Sequence, residues 1–204
     1  MIWSAFVWEL TVASNQSHLR IIGGTLGGRK LLAPAGLDTR PLPDRIKQSL
    51  FDWLGQDLSG LRIADICAGS GGFGIEAFSR GAARVHLIEA GPHALPTIMK
   101  NLASIGSPAA ITLHGNEFQN VLPHLTDLDL IFADPPFPWF ADQTQTLREL
   151  LTLAMASLQP NGELVLRGER GQELPPLPAG LRLSERREYG RSWIGRYQLT
   201  PAAR

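Results

Sequence analysis

From residue 62 onward, short apolar runs alternate with stretches whose apolar residues fall three and four positions apart. The runs are RIADI (62–66), ARVHLIE (83–89), AITLHG (110–115), LDLIFAD (128–134) and GELVLRG (162–168). Each is bounded by Gly, Pro or Asp and is apolar enough for burial on both faces, as strands of a parallel sheet are. Between them Leu95, Ile98, Met99 and Leu102 repeat at helical spacing, and so do Leu147, Leu150, Leu151, Ala154 and Leu158. Strand–helix alternation of this kind predicts a mostly parallel sheet covered by helices on both sides. Gly81 and Gly162 stand where helices should end. The final segments, LRLSERREYG and RSWIGRYQL, leave no room for a crossover helix. They predict an antiparallel strand pair added to the sheet, seven strands in all.

The front of the chain has a different texture. RIIGGTLGGRKLLAP (20–34) is glycine-rich with β-branched and basic residues and predicts a small twisted β-hairpin. DRIKQSLFDWL (44–54) predicts an amphipathic helix with Ile46, Leu50, Trp53 and Leu54 on one face and Asp44 as N-cap. LPPLP (174–178) spells P-x-x-P but is read as a rigid loop between strands. The chain thus divides into an extension (1–19), a hairpin and helix (20–60) and an α/β domain (61–204).

The opening MIWSAFVWELTVA has no basic start, and Glu9 interrupts it, so it is read as a disordered or adventitious extension, neither a signal peptide nor a membrane span. A cytoplasmic protein is expected. Cys67 is the one cysteine, and the five histidines show no paired-ligand spacing, so no metal is expected. Net charge is zero but uneven. Residues 20–62 hold seven Lys/Arg against four Asp, and 179–204 hold six Arg against two Glu, whereas 63–178 hold six bases against twelve acids. Basic flanks suit a polyanion, and an acidic centre suits a cationic small molecule.

Two short stretches carry the chemistry. CAGSGGFG (67–74) places glycines at 69, 71 and 74, the spelling G-x-G-x-x-G, between a predicted strand and a predicted helix. Glu89 ends the next strand, twenty residues past Gly69, where an acid can accept hydrogen bonds from ribose hydroxyls. NAD and S-adenosylmethionine both carry that ribose, so this pair of features leaves the choice open. Asp134-Pro135-Pro136-Phe137 then follows the fourth run. The two prolines stiffen the exit from the strand and leave local carbonyls as acceptors. A carboxylate and a proline carbonyl can hold both N–H groups of a planar exocyclic amine, and Phe137 can stack on its base, a contact worth about 1–3 kcal/mol. That is an arrangement for methyl transfer to nitrogen, with hydride transfer having no use for it. Cys67 has no placed base to activate it and is read as a small packing residue.

D-x-x-A-G-S-G, Glu89 and DPPF together are similar to class I S-adenosylmethionine-dependent amino-methyltransferases. RIIGG…GRKL, TRPLPDRIKQSLFDWL (39–54), DICAGSGGFGIEAFSRGA (65–82), KNL (100–102) and DPPF resemble more closely the RsmD family, which methylates N2 of guanine 966 in bacterial 16S ribosomal RNA. The resemblance runs from Arg20 to the C-terminus. It implies a Rossmann-like class I methyltransferase sheet and S-adenosylmethionine bound by Asp65, Ala68, Gly69, Ser70 and Gly71 at its methionine end. Glu89 would take the ribose and Asn116 would lie by the adenine. It implies Asp134, Pro135, Pro136 and Phe137 around the guanine, and Arg40 and Arg45 at the active-site rim or on the RNA. The basic ends then have a use, with Arg20, Arg29 and Lys30 on the hairpin expected to grip RNA phosphates and Arg186, Arg187 and Arg191 assisting from the tail. The implied partner is 16S rRNA, within the assembled small subunit, acted on by a monomer. Gly91-Pro92 stand where a longer polar turn after the acid is common in the family, and Trp139, next to the motif, is given no role. Adenine-N6 or glutamine-amide methylation would use the same tetrad, and a non-catalytic RNA-binding factor could keep the fold.

Overall fold

The structure, a computed structural model, describes residues 18–34 and 43–201. Arg40 and most of the expected N-terminal extension lie outside them. Strands β1 (His18–Arg20) and β2 (Lys30–Leu32) pair antiparallel around a short 3-10 turn, forming the expected hairpin. Helix α1 (Asp44–Leu54) follows. The main sheet then takes β3 (Arg62–Ile66), β4 (Arg84–Ile88), β5 (Ile111–His114), β6 (Leu128–Ala133), β7 (Leu158–Glu169), β8 (Leu181–Tyr189) and β9 (Ser192–Leu199). Between them run α2 (Gly72–Ser79), α3 (Leu95–Ser104), the single turn α4 (Phe118–Val121) and α5 (Thr144–Ser157).

Strand order is β5-β4-β3-β6-β7-β9-β8, with the first five parallel and β9 antiparallel to both neighbours. The chain winds outward from β3 to β5, then returns to lay β6 on the other side of β3. That reversal makes a crevice beyond the carboxyl ends of β3 and β6, where open α/β sheets bind ligands.

Alternation along the strands divides the core into two layers. Ile131 and Ala133 of β6 face α5 through Leu147, Leu150, Leu151 and Ala154. Leu130 and Phe132 face α1 and α2 through Leu50, Phe51, Phe73 and Ala77. Phe73 stacks on both Phe51 (5.1 Å) and Phe132 (4.1 Å), joining the front helix to the sheet.

The hairpin is locked to α2 by a buried carboxylate. Glu76 accepts the N–H groups of Ile22 (2.7 Å) and Gly23 (2.8 Å) and pairs with Lys47 (3.2 Å) and Arg80 (3.0 Å). Desolvation lowers the Lys47 ammonium pKa, and the Glu76 charge works against that shift. Asn101 on α3 adds a second tie. Its Oδ1 accepts from Leu32 N–H (2.8 Å), while its Nδ2 donates to the carbonyls of Leu32 (3.0 Å) and Ser70 (2.9 Å). Hairpin, helices and glycine turn are therefore tied together by buried polar contacts.

Several expectations need correction. Gly81 does follow α2, with φ +100°, but Gly162 lies inside β7, and Leu158 starts that strand instead of ending α5. The shift comes from an irregular pairing between Leu128 and Leu130 that lets β7 begin early. Asp44 is the first residue of α1, not its N-cap; Pro43 stands there, and Asp44 pairs with Arg20 (3.1 Å). Met99 points to solvent, 62 % exposed, since the buried stripe of α3 centres on Ile98 and Asn101. Of the run 110–115, Ile111–His114 form an edge strand, half-buried throughout, because among the described residues no strand pairs beyond β5.

Candidate active site

The glycine turn leaves β3 through residues that need left-handed backbone. Cys67 (φ +58°), Gly69 (+58°) and Gly71 (+75°) all occupy it, and Gly71 caps α2. A Cβ on Gly69 would meet nothing closer than the Cys67 carbonyl at 4.0 Å, so the outer side of the turn is open space. Gly74 has the opposite reason to be glycine. A Cβ there would lie 2.3 Å from Leu87 Cδ2 and 2.9 Å from Val85 Cγ1, so α2 can lie against β4 only without a side chain at that point.

Three carboxylates surround this turn. Asp65 is buried, and its Oδ2 accepts the Gly74 N–H (2.9 Å), so it shapes the turn from within. Burial raises its pKa well above the usual range, against the pull of that hydrogen bond. Glu89 accepts from Gly69 N–H at Oε2 (2.8 Å) and from Gly91 N–H at Oε1 (2.7 Å). Asp134 sits across the crevice, and its own N–H donates to the Ile66 carbonyl (3.2 Å), which places it beside the start of the glycine turn. Burial pushes the Cys67 thiol up, and Glu89, Asp134, Asp65 and Glu117 push it further, so Cys67 stays a protonated packing residue.

The DPPF segment has a firmer framework than its letters suggest. Pro136 offers its carbonyl to Trp139 N–H (2.9 Å), so of the two proline carbonyls only that of Pro135 is without a partner among the described residues. The Phe137 carbonyl accepts from Gln172 Nε2 (3.0 Å). Arg167, on the neighbouring strand β7, donates from Nη1 to Asp134 Oδ2 (2.8 Å) and lies 5.6 Å from the Phe137 ring centroid. Burial raises the Asp134 pKa and Arg167 opposes that rise. Trp139 packs near Phe118 (5.8 Å between ring centroids), giving that residue a place in the core.

Arg167 and Gln172, which hold the DPPF segment through Asp134 and the Phe137 carbonyl, are the site neighbours that sequence reasoning missed. A signal existed: Arg167 lies near the end of the run 162–168, and the sheet order sets that run beside the one ending in Asp134. Asn116 lies exposed beyond β5, with Oδ1 accepting from Glu117 N–H (2.8 Å) and Asn120 Nδ2 (3.0 Å).

The basic residues are more scattered than expected. Arg29 donates to the Ser104 carbonyl at the end of α3, and Lys30 is exposed on β2. Arg45 borders an open groove of about 370 Å³ with Ser49, Glu188 and Tyr189. Arg186 and Arg187 each pair with a glutamate of β8, and Arg191 pairs with Glu169.

The conserved hypothetical protein 95 family matches residues 19–198. The ribosomal RNA small subunit methyltransferase D of Escherichia coli K12 is 32 % identical over 191 residues, 91 % of this chain and 92 % of that protein. The solved Escherichia coli methyltransferase yhhF superposes with TM-score 0.75 at 32 % identity, covering 90 % of this chain and 98 % of its own. A Thermus thermophilus protein, TTHA0928, does so with TM-score 0.71 at 28 % identity, covering 89 % and 99 %. The chain belongs to the ribosomal RNA small subunit methyltransferase D family.

Like the other members of that family, it is a class I methyltransferase, and its cofactor is S-adenosylmethionine. The choice left open by G-x-G-x-x-G is thereby closed against NAD. The site fits the group: an open turn rimmed by carboxyl side chains suits a cationic sulfonium with its ribose, and Glu89 retains lone pairs for hydroxyl donors. Among the described residues no group of three potential metal ligands gathers, and no helix is long and apolar enough to cross a membrane.

Proposed function

We propose that this methyltransferase modifies the N2 amine of a guanine in 16S ribosomal RNA, the position being 966 by family resemblance. The observation that carries the reading is the meeting of two loops. The Asp134–Phe137 segment and the glycine turn leave adjacent strands at one crevice, tied by Asp134 N–H to Ile66. Membership in a family whose relatives are named for the small-subunit ribosomal RNA supplies the substrate class.

Bound S-adenosylmethionine supplies a methyl group on a positively charged sulfur. Ala68 to Gly71 would cradle its methionine end, with Asp65 fixing the turn behind them. Glu89 would accept from the ribose, and Asn116 would lie by the adenine. Asp134 Oδ1 and the Pro135 carbonyl then accept the two N–H groups of the guanine amine. Both N–H bonds held this way turn the nitrogen lone pair out of the ring plane and toward the carbon to be attacked. Phe137 stacks on the base and Pro136 keeps the loop stiff. Holding the amine in line with the methyl group would do most of the remaining work: the carbon–sulfur bond would break as the carbon–nitrogen bond forms, the sulfur would leave as neutral adenosylhomocysteine, and one amine proton would be lost to solvent.

The base must be unpaired or flipped out to reach this site. Arg20, Arg29, Lys30 and Arg45 are proposed to contact RNA phosphates, and such contacts position the RNA without reading its sequence. Arg40 is proposed for the same role and lies outside the described residues. The assembled small subunit is the proposed substrate, and the enzyme is proposed to act as a cytoplasmic monomer. Small subunits and naked 16S RNA from a deletion strain, each incubated with purified enzyme and labelled cofactor, test this. Label in N2-methylguanine of the subunit supports the reading; label in adenine or protein glutamine, or none, refutes it.

A further inference from the structure

Asp134 does not stand alone in the crevice. Ala133 of β6 pairs in register with Leu166 of β7, so the next residues, Asp134 and Arg167, come side by side. The guanidinium reaches Asp134 Oδ2 at 2.8 Å while Nε and Nη2 lie 3.3 and 3.2 Å from Ser192 Oγ. The Arg167 side chain is 9 % exposed and Ser192 is buried, so the guanidinium has little freedom to swing away. Five donors in a rigid plane, several of them engaged, make it a clamp more than a surface charge.

We propose that Arg167 is a positioning residue for methyl transfer, holding Asp134 by Oδ2 so that Oδ1 is the oxygen presented to the substrate amine. The inference rests on the reading that Asp134 accepts an amine N–H. A carboxylate largely withdrawn from water, as the 28 % exposed Asp134 side chain is, takes up a proton more readily when no cation stands beside it, and is then a poorer acceptor. Of the groups coupled electrostatically to Asp134, Asp65 on β3 is itself an acid and the Cys67 thiol is neutral, so neither offers a positive charge. Arg167 is the cation in contact with Asp134 among the described residues. It both keeps the carboxylate anionic and fixes its plane, and its position near Phe137 sets the distance between acceptor and stacking ring.

The test has one readout that needs neither cofactor nor substrate. In 13C-labelled protein, the Asp134 carboxyl carbon is identified by its loss in Asp134→Asn, then titrated in wild type, Arg167→Lys and Arg167→Met. The Asp134 resonance should titrate at higher pH in Arg167→Met, with Arg167→Lys between. With small subunits as substrate, kcat in Arg167→Met should fall about 10- to 100-fold, as for lost outer-shell partners, and its acidic limb should move to higher pH. Affinity for adenosylhomocysteine should stay within about two-fold of wild type, since the clamp does not touch the glycine turn. Ser192→Ala, which only loosens the clamp, should shift both readouts in the same direction by less. If Arg167→Met does not fold, Arg167→Lys and Ser192→Ala carry the same two measurements. An unchanged Asp134 titration, or a wild-type kcat in Arg167→Met, overturns the proposal. Wild-type enzyme inactive on the subunit overturns the substrate reading instead, and the carbon titration still decides the role of Arg167.

Discussion

Glu76→Ala should be among the most damaging single changes far from the reacting atoms. The native carboxylate is fully buried and serves two cations and two backbone N–H groups at once. Alanine would leave Lys47 and Arg80, both nearly inaccessible, without their counter-charge, and would orphan the N–H groups of Ile22 and Gly23. Lys47 Nζ would keep the Arg20 carbonyl and Arg80 Nη1 would keep Gln56 Oε1, both neutral acceptors, while Arg80 Nη2 already lacks an aligned hydrogen-bond partner. Breaking a buried pair by removing one partner costs about 3–5 kcal/mol. For a chain of this size that corresponds to a fall of roughly 6–20 °C in Tm. Urea denaturation followed by circular dichroism measures it, with the exposed Glu149→Ala as a control expected within about 0.5 kcal/mol of wild type. A Glu76→Ala cost below about 1 kcal/mol would refute the claim that this carboxylate is the hub between hairpin and α2.

Two further outcomes follow from packing and charge. His86 is buried beside His114 (3.0 Å between ring nitrogens), and burial, then the charges of His114, Arg84 and Arg62, lower its pKa from 6.5 to about 4. The unfolded chain therefore takes up this proton first, and stability should fall as pH drops from about 6.5 towards 4, by at most ~3 kcal/mol from this group; comparing urea midpoints at pH 7.5 and 4.5 in wild type and His86→Phe isolates it, and an equal acid loss in both would contradict the assignment. Gly74→Ala forces a methyl against Leu87 and Val85 and should cost about 1–3 kcal/mol, with weaker adenosylhomocysteine binding by calorimetry because Asp65 loses its hold on the turn; a neutral substitution would show that α2 can shift freely.

The sheet was legible because its strands are short, strongly apolar and punctuated by Gly, Pro and Asp. The glycine turn and the DPPF segment were legible because each binds its neighbours through backbone geometry, which leaves a mark on local sequence. Asp44 and Gly162 were misplaced because helix ends depend on one residue's backbone angles, and tertiary pairing at Leu128 decided the latter. Glu76, Asn101 and Arg167 left only a faint mark, because their partners lie far along the chain. Each acts across more than twenty residues of sequence, Glu76 on Ile22, Asn101 on Leu32 and Ser70, Arg167 on Asp134. Polar residues buried in a helix or strand pattern are the trace such partners do leave, and Glu76 within an otherwise apolar α2 was visible in that sense.

The most direct trial of the central claim is mass spectrometry of 16S RNA from a strain deleted for this gene and complemented with wild type or Asp134→Ala. One N2-methylguanine should vanish on deletion, return with wild type and stay absent with Asp134→Ala, although that variant still binds adenosylhomocysteine. Restoration of the modified base by Asp134→Ala would contradict the role given to the carboxylate at the end of β6.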